Sequence, residues 1–189
     1  MQEKEIIKYL TETGALLNGH FQLRSGLHSS RYFQAALVLQ HTLIAAKLCA
    51  AMAAPWRDMG IETVISPAVG GIVVGQEVGR ALGVKAIFAE KDEASNLHLR
   101  RGFCLKKGEK VLVAEDVITK GGRVAQTIEL VRSYGAIPVG AACMVDRSTG
   151  TVDLGVPFKS LLKLNLPTYK PEDCPLCAKK MPIDHPGSK

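Results

Sequence analysis

The stretch VLVAEDVITKGGR, which runs from Val111 to Arg123, contains a short apolar segment, two acids and a glycine-rich turn. Its first three residues are of the kind found in a buried parallel strand. Glu115 and Asp116 follow, so we expect their carboxylates at the carboxyl end of that strand. The segment TKGG, residues 119–122, offers backbone amides that can surround a phosphate. Because Val124–Tyr134 has helical spacing, the stretch predicts a strand, an acid pair, a phosphate loop and a helix in succession.

An isolated Glu-Asp pair after a strand is most simply explained as a solvated surface turn. In this chain the pair is followed closely by a Gly-rich loop, which places ligands for hydroxyl groups or Mg²⁺ beside a phosphate site. The nucleoside-triphosphate motif GxxxxGK[ST] does not occur in the sequence. The stretch therefore favours a sugar-phosphate site over a nucleoside-triphosphate site.

The same stretch resembles the phosphoribosyl-pyrophosphate signature of type I phosphoribosyltransferases. In that signature an apolar strand, two acids, two small or apolar residues, a Thr and a Gly-rich loop follow one another. The resemblance implies that Glu115 and Asp116 hold the ribose hydroxyls and favour positive charge developing on the ribose. It also implies that the following residues bind phosphoribosyl pyrophosphate, chiefly at its 5′-phosphate. This set comprises Val117, Ile118, Thr119, Lys120, Gly121, Gly122 and Arg123.

Residues 19–33, GHFQLRSGLHSSRYF, are rich in Gly, Ser and His and predict turns between short strands. This segment is similar to the amino-terminal hood of orotate phosphoribosyltransferases, where a Phe, a Leu, a basic residue and Ser-Gly precede a Ser and an aromatic pair. The resemblance implies that Arg24 and Phe33 help to place orotate.

A second strand, loop and helix are predicted at Thr63–Ser66, Pro67–Gly71 and Ile72–Leu82. Such a loop is ordinary in α/β proteins, but it can also hold an anion at the start of its helix. Type I enzymes hold pyrophosphate on a loop in this place. The resemblance assigns that contact to Ala68, Val69, Gly70 and Gly71. Many orotate enzymes have a Lys where this chain has Gly70, so we expect one cationic pyrophosphate contact to be absent.

Residues 90–101, EKDEASNLHLRR, follow a strand predicted at Lys85–Ala89 and have the composition of a solvated hairpin. In orotate phosphoribosyltransferases the equivalent mobile loop closes over pyrophosphate, in part from the neighbouring subunit of a dimer. Lys91 matches a catalytic Lys of that loop, but Glu90 replaces its Arg and the Lys-x-His-Gly element is missing. The cations available as substitutes are His98, Arg100 and Arg101, of which we assign Arg100 to phosphoribosyl pyrophosphate.

Asp146 and Arg147 stand at the end of a strand predicted at Pro138–Val145. Ligands in open α/β sheets gather at that edge, so Arg147 is well placed for an anionic group. An ion pair between Arg147 and Asp146 is the alternative that the sequence leaves open. In the orotate family an Arg just after this Asp binds orotate, and the resemblance assigns that role to Arg147, with Thr119 also near orotate.

The segment Cys174-Pro-Leu-Cys177 has zinc-knuckle spacing, but a full zinc site needs two further ligands. The remaining cysteines form no second CxxC. We therefore interpret the two residues as a lone structural pair without zinc. A four-Cys site shared across a symmetric dimer is the alternative. Five cysteines in total do not suggest a disulfide framework.

Composition limits the class of protein. The chain has 189 residues, enough for one full-sized domain, and 24 Lys and Arg against 18 Asp and Glu give it a formal charge of +6. This excess suits a polyanionic small substrate; no long basic run exists and aromatics are only 5%, so we expect no nucleic-acid partner. No apolar run is long enough to span a membrane, and MQEKEIIKYL lacks the order of a signal peptide. A cytoplasmic location is expected.

Strands alternate with helices along the chain, which predicts an α/β fold with a mostly parallel central sheet flanked by helices. The predicted strands lie near residues 63–66, 85–89, 111–114 and 138–145, and further helices are predicted at 2–12 and 41–59. We expect one domain over 1–189. Within it we expect a small hood from the N-terminal segment (1–40) and the C-terminal tail (167–189), and an α/β core at 41–166.

The resemblance covers nearly the whole chain and implies an orotate phosphoribosyltransferase of pyrimidine (UMP) biosynthesis. Such an enzyme converts orotate and phosphoribosyl pyrophosphate to orotidine 5′-monophosphate and pyrophosphate. The resemblance also implies Mg²⁺, held largely by the substrate and not by protein ligands alone, and a homodimer with a shared lid loop. Two alternatives stay open: a phosphoribosyltransferase for a purine or another base, and a regulator of the same fold that binds nucleic acid.

Overall fold

The computed structural model describes residues 1–23 and 25–186 of the chain. Arg24, one of the predicted orotate contacts, lies outside the described residues. Two compact units divide the chain: a smaller one of Met1–His41 with Leu164–Lys189, and a larger one of Thr42–Lys163. Whether these units fold as one domain stays a prediction.

The secondary structure follows the alternation expected from the sequence. The helices are α1 (Glu3–Glu12), α2 (Ala35–Leu39), α3 (Thr42–Ala53), α4 (Gly71–Leu82), α5 (Gly122–Ser133) and α6 (Pro175–Ala178). The strands are β1 (Leu16–Gln22), β2 (His28–Phe33), β3 (Thr63–Pro67), β4 (Lys85–Lys91), β5 (Leu97–Leu99), β6 (Lys110–Ile118), β7 (Ile137–Asp146), β8 (Phe158–Lys163) and β9 (Thr168–Tyr169). Two 3₁₀-helices span Ala54–Met59 and Pro171–Asp173.

A six-stranded sheet with the order β5-β4-β3-β6-β7-β8 forms the centre of the larger unit. Its neighbouring strands pair in parallel, except that β5 runs antiparallel to β4. Helices α3, α4 and α5 pack against it. The predicted α/β fold with a mostly parallel sheet is therefore confirmed. Among the described residues, no helix is both long and apolar enough to cross a membrane.

The core of the larger unit is built from β-branched and other apolar residues. In β6, Val111 and Val113 are completely buried, and Val124, Ile128 and Val131 present the buried face of α5. Burying each such side chain contributes about 1.5–3 kcal/mol, so this packing holds the strand and the helix that flank the predicted phosphate loop.

Two glycines allow α4 to lie close to the sheet. A Cβ at Gly79 would lie 2.9 Å from the Cβ of Ala86, and one at Gly75 would collide with the side chain of Ser66. Larger residues would lift the helix from β3 and β4. This close packing fixes the start of α4 beside the carboxyl end of β3.

Most predicted bounds differ from the structure by no more than two residues, but two elements differ by more. The helix expected at 41–59 ends as an α-helix at Ala53 and continues as the 3₁₀-helix, because Pro55 has no N–H to extend the α-helical pattern. The strand expected at 111–114 continues to Ile118. Glu115 and Asp116 are thus part of β6 and do not follow it, since β7 pairs with this extension.

The smaller unit combines segments from both ends of the chain. Its three-stranded sheet has the order β1-β2-β9 and is antiparallel, and Ile6 and Leu10 form the buried face of α1. Near the carboxyl end of β1, the Gln22 amide donates to the Asp184 carbonyl at 3.0 Å, and the Asp184 amide donates to the His20 carbonyl at 2.8 Å. The tail is therefore hydrogen-bonded to the N-terminal hairpin.

Candidate active site

The acid pair lies where two neighbouring strands separate. β3 pairs with β6 from Thr63↔Val111 to Ile65↔Val113 and no further. On its other side β6 stays paired to β7 as far as Ile118↔Asp146. Glu115 and Asp116 are therefore on the part of β6 that has lost its β3 neighbour. A crevice at the carboxyl end of a parallel sheet is where ligands bind in such folds.

The loop after β3 closes one side of this crevice and contacts both acids. A Cβ on Gly70 would lie 2.7 Å from Asp116 Oδ2, and a Cβ on Gly71 would lie 2.9 Å from Glu115 Oε1. Only bare backbone fits so near the carboxylates. The loop predicted to hold pyrophosphate and the acids predicted to hold ribose thus form one site.

The loop is also anchored to the strand that leads into the predicted lid. The Ala68 amide donates to the Ala89 carbonyl of β4 at 2.8 Å, and the Ala68–Val69 peptide bond is cis. Val69 is well exposed, and α4 starts at Gly71. The amides at a helix start carry partial positive charge, so this end of α4 can attract an anion.

The two acids differ in their surroundings. Glu115 is buried, whereas Asp116 is half-buried. Burial, together with the nearby Asp116 carboxylate, raises the pKa of Glu115 to about 9, and the positive charge of Arg123 opposes this shift. The Val117 amide donates to Asp116 Oδ1 at 2.7 Å, which helps to hold that carboxylate in place. At neutral pH the Glu115 carboxyl is therefore protonated, and the Arg123 charge is close enough to act on it.

The predicted phosphate loop begins at the end of β6 and leads into α5. Gly121 has φ 77°, and a Cβ there would lie 2.7 Å from Val152 Cγ1, so glycine is required on both grounds. The Ile118 side chain is buried, which leaves its backbone to make any phosphate contact. Four members of the predicted set are exposed: Thr119, Lys120, Gly122 and Arg123.

Arg147 is joined to the same strand end. Its amide donates to the Ile118 carbonyl at 2.8 Å. The neighbouring Asp146 is buried; its Oδ1 accepts from the Ser148 amide at 2.8 Å and its Oδ2 lies 3.4 Å from Lys163 Nζ. The Arg147 backbone therefore lies beside the residue that precedes Thr119, where an orotate contact from both residues was predicted.

The predicted lid is a β-hairpin made by β4 and β5. Arg101 forms a two-pronged ion pair with Glu90, with both N–O distances 2.8 Å, and His98 lies 2.8 Å from Asp92 Oδ2. The hydrogen bonds from Arg101 lower the pKa of Glu90. Two of the proposed substitute cations are thus engaged within the hairpin. Lys91 and Arg100, the other two predicted pyrophosphate contacts, are exposed.

Phe33, the predicted orotate contact from the hood, belongs to the smaller unit. The residue is only 3% exposed. An orotate contact through this side chain stays a prediction, as does the contact from Arg24.

A cavity of about 410 Å³ lies along β7 and β8, with Asp146, Val152, Phe158 and Lys163 among its lining residues. Of the predicted substrate contacts that the structure describes, none lines it. The crevice beside β6 is therefore the better candidate for the reaction.

One group of residues was missed by sequence reasoning. His20, His28, Cys174 and Cys177 lie together in the smaller unit, with their ligand atoms within 4.8 Å of one another. The interpretation of the two cysteines as a lone pair is therefore wrong. About 150 residues separate the histidines from the cysteines, and only the folded hairpin and tail bring them together. The one signal was the two histidines in the Gly- and Ser-rich hood segment.

A family model described as the phosphoribosyl transferase domain matches residues 38–174. The separated strands, the acid pair and the two glycine-containing loops lie within this range and agree with the match. By fold and by family, the chain is a type I phosphoribosyltransferase.

Two curated relatives are similar along the entire chain. The orotate phosphoribosyltransferase of Chlorobaculum parvum is 52% identical over 189 residues, covering 100% of this chain and 97% of that protein. The orotate phosphoribosyltransferase of Desulforamulus reducens is 51% identical over 189 residues, covering 100% and 98%. The chain belongs to the orotate phosphoribosyltransferase family.

Solved structures share the fold. The crystal structure of orotate phosphoribosyltransferase from Aeropyrum pernix has a TM-score of 0.72 at 26% identity, covering 84% of this chain and 93% of that one. Adenine phosphoribosyltransferase from Rhodothermus marinus has a TM-score of 0.67 at 19% identity, covering 86% and 100%. Since enzymes for different bases share this fold, the fold alone does not select the base.

Proposed function

We propose that this enzyme transfers the phosphoribosyl group of phosphoribosyl pyrophosphate to orotate in the crevice between β3 and β6. The products are orotidine 5′-monophosphate and pyrophosphate, and the reaction belongs to pyrimidine biosynthesis. One observation carries the placement: the backbone of Gly70 and Gly71 lies against the carboxylates of Asp116 and Glu115. A leaving pyrophosphate on the loop and a ribose on the acids would therefore be adjacent.

The acids have a role that suits displacement at the anomeric carbon. Positive charge develops on the ribose as pyrophosphate departs, and negative carboxylates next to it lower the barrier. Glu115 and Asp116 would accept hydrogen bonds from the ribose hydroxyls. Because those donors favour ionised carboxylates, substrate binding would draw the raised pKa of Glu115 downwards and release a proton.

The 5′-phosphate is held by the loop that joins β6 to α5. The amides at the start of α5 and the small residues Gly121 and Gly122 allow close approach of an anion. Thr119, Lys120 and Arg123 add a hydroxyl and two cations at exposed positions. In this arrangement the phosphate anchors the substrate while its anomeric carbon lies beside the acids.

Pyrophosphate has charge that the loop amides alone do not balance. Lys91 and Arg100 are exposed on the hairpin. Ala89 of β4 accepts the hydrogen bond from the pyrophosphate loop, and Lys91 lies two residues further along the same strand. We assign Lys91 and Arg100 to pyrophosphate, with the hairpin closing as a lid. Gly70 supplies no cation, so these residues carry more of that role here.

The site also fits Mg²⁺. Asp116 is half-buried and offers the hard carboxylate oxygens that this ion prefers. One carboxylate supplies far fewer than the six oxygens of an octahedral shell, so the substrate and water would supply most of them. When bound, the ion neutralises charge on pyrophosphate.

Orotate needs a fixed cation because it brings a carboxylate into the crevice. Arg147 is next to the end of β6, and a guanidinium can meet a carboxylate with paired hydrogen bonds. Thr119 is the neighbouring predicted contact, and Arg24 and Phe33 are the predicted contacts from the hood. We further propose a homodimer with a shared lid, a cytoplasmic location and no nucleic-acid partner.

A panel of bases tests the assignment. The protein, Mg²⁺ and phosphoribosyl pyrophosphate are incubated with orotate, uracil, adenine, guanine, hypoxanthine or xanthine, and pyrophosphate release is measured. We expect release with orotate alone, because a neutral base lacks the carboxylate that Arg147 is proposed to bind, and losing such a charged hydrogen bond costs about 1–3 kcal/mol. Arg147→Ala should weaken use of orotate far more than binding of phosphoribosyl pyrophosphate.

The exposed Arg57→Ala variant is the matched control and should leave both properties unchanged. Preferential turnover of a purine would overturn the orotate assignment. If Arg147→Ala loses both the use of orotate and the binding of phosphoribosyl pyrophosphate, Arg147 instead supports the fold.

A further inference from the structure

Two histidines and two cysteines converge inside the smaller unit. His20 is on β1, His28 begins β2, Cys174 directly precedes α6 and Cys177 lies within it. Their four ligand atoms all lie within 4.8 Å of one another. All four belong to the smaller unit, whereas the proposed active-site crevice belongs to the larger one.

The distances match the edges of a tetrahedral zinc site. Zinc bonds of about 2.0–2.1 Å to nitrogen and about 2.3 Å to sulfur imply edges of roughly 3.3 Å between nitrogens and roughly 3.6 Å from nitrogen to sulfur. His20 Nε2 lies 3.0 Å from His28 Nδ1, and Cys177 Sγ lies 3.2 Å from His28 Nδ1. His20 Nε2 lies 3.6 Å from Cys174 Sγ and 3.7 Å from Cys177 Sγ. The side chains need only small shifts to accept the ion.

The hydrogen bonding of His20 leaves its Nε2, which faces the cluster, available as a metal ligand. His20 Nδ1 lies 2.8 Å from the carbonyl of Met181, which can only accept, so Nδ1 carries the proton. In the neutral imidazole, Nε2 then has one lone pair directed into the cluster. Such a bond from the outer nitrogen to a carbonyl is the usual support of a metal-binding histidine.

Hydrogen bonds satisfy only part of this arrangement. If Cys174 donates to His20 Nε2 and Cys177 donates to His28 Nδ1, the two nitrogens face each other at 3.0 Å with no proton between them. If His28 Nδ1 donates to His20 Nε2 instead, neither thiol has a nitrogen acceptor. A cation at the centre would instead be met by a lone pair from each of the four residues.

We propose that His20, His28, Cys174 and Cys177 bind one zinc ion in each chain. Two nitrogens and two sulfurs in a tetrahedral arrangement favour zinc, and each thiol releases its proton to solvent on binding. Two thiolates neutralise the doubly charged ion, which suits a cluster in which three ligands are nearly inaccessible. With four protein ligands the site is closed and structural, and it fastens the tail to the N-terminal hairpin.

Metal content and geometry are the first test. Protein purified without chelators should contain about one zinc per chain by mass spectrometry of the metal. Replacement of zinc by Co²⁺ should give intense visible bands of a tetrahedral ion and a near-ultraviolet thiolate-to-cobalt band. A content near one half would indicate the four-Cys site shared by two chains, and absence of metal, with or without a disulfide between Cys174 and Cys177, would show that the cluster does not hold zinc; either result would overturn the proposal.

Matched variants identify the ligands. Cys174→Ser and His20→Ala should each lose zinc or bind it at least tenfold more weakly, whereas Cys104→Ser, at an exposed cysteine in the larger unit, should keep a full complement. Where a ligand variant does not fold, cobalt binding by His28→Cys provides a second test of the ligands. This variant keeps four ligands and should retain cobalt, with the thiolate band increased by about half. Full zinc in His20→Ala would remove the histidines from the site.

Discussion

Glu115 shows how the site and the fold place opposite demands on one residue. Its carboxyl is buried beside a second acid, which raises its pKa to about 9. The proposed mechanism needs the ionised form close to the ribose, but folding alone favours the protonated form. A residue selected for stability would be neutral at this position, so the acid is retained at a cost in stability.

This conflict predicts that a neutral side chain at position 115 increases the stability of the protein by an amount that depends on pH. The folded pKa of Glu115 is above its ordinary value of 4.5. Its contribution to stability is therefore complete below about pH 4.5 and is lost as the pH rises towards 9. Glu115→Gln should raise Tm by roughly 2–4 °C or more at pH 8 and change it little at pH 5, measured by calorimetry. Turnover should fall by at least about tenfold at both values.

The exposed Glu93→Gln variant changes charge equally and should show no such pH dependence. An equal change in Tm at pH 5 and pH 8 for Glu115→Gln would mean that the carboxyl is not held neutral by its surroundings.

At the scale of single elements, β6 shows what the sequence can and cannot predict. Val111, Leu112 and Val113 are apolar and fully buried, so the strand and the helix after it were predictable from pattern alone. The continuation of the strand through Glu115 and Asp116 was not predictable from pattern. Acids are disfavoured in strands, but pairing with β7 extends the strand in spite of that preference.

The candidate sites divide in the same way. The acid pair and each of the two loops are short continuous segments of sequence, so each motif could be recognised before its contacts were known. The packing of Gly70 against Asp116 joins the loop after β3 to β6, and the cluster of His20 with Cys174 joins the two ends of the chain. Contacts of this kind depend on the tertiary fold, which no local pattern contains. The ion pairs of His98 and Arg101 within the lid were unpredictable for the same reason.

The opposite end of the sheet is held by a buried carboxylate. Glu109 is 6% exposed; its Oε1 lies 2.8 Å from Lys85 Nζ and accepts from the Thr63 hydroxyl, and the Lys106 amide donates to Oε2 at 2.7 Å. Burial acts to raise its pKa, but the hydrogen bonds outweigh burial and lower it. Glu109 thus joins the starts of β3, β4 and β6 away from the proposed chemistry.

Glu109→Gln should therefore lower stability without changing the reaction. We expect the free energy of unfolding at pH 7, measured with urea, to fall by about 1–3 kcal/mol, with turnover per folded molecule unchanged. Since the folded pKa is lowered, the advantage of Glu109 is present above about pH 4.5 and is lost as the pH falls through the folded value.

The comparison is Glu77→Gln, which breaks an exposed pair with Arg80 and should cost no more than about 0.5 kcal/mol. A reduced turnover in Glu109→Gln at full folding would show that this end of the sheet affects the crevice.

At the scale of the whole molecule, charge and substrate correspond. The chain carries a formal charge of +6, and its proposed substrates and products are all anions. A positive protein attracts such ligands over a distance, and the effect weakens as salt rises. The cations proposed for the site lie on loops and on a hairpin, and in the proposed homodimer the hairpin would come from the partner chain.

Mixing two inactive variants tests whether the lid is supplied by a partner. If Lys91 acts across a dimer, Lys91→Ala and Asp116→Asn each remove activity, but a hybrid dimer contains one site with both native residues. At equal amounts and free exchange, half of the dimers are hybrids, so roughly a quarter of the native activity should return. A mixture of Glu115→Gln with Asp116→Asn is the control, because both changes lie on the same strand and should give no rescue. If subunits exchange and the first mixture stays inactive, Lys91 acts within its own chain or outside the chemistry.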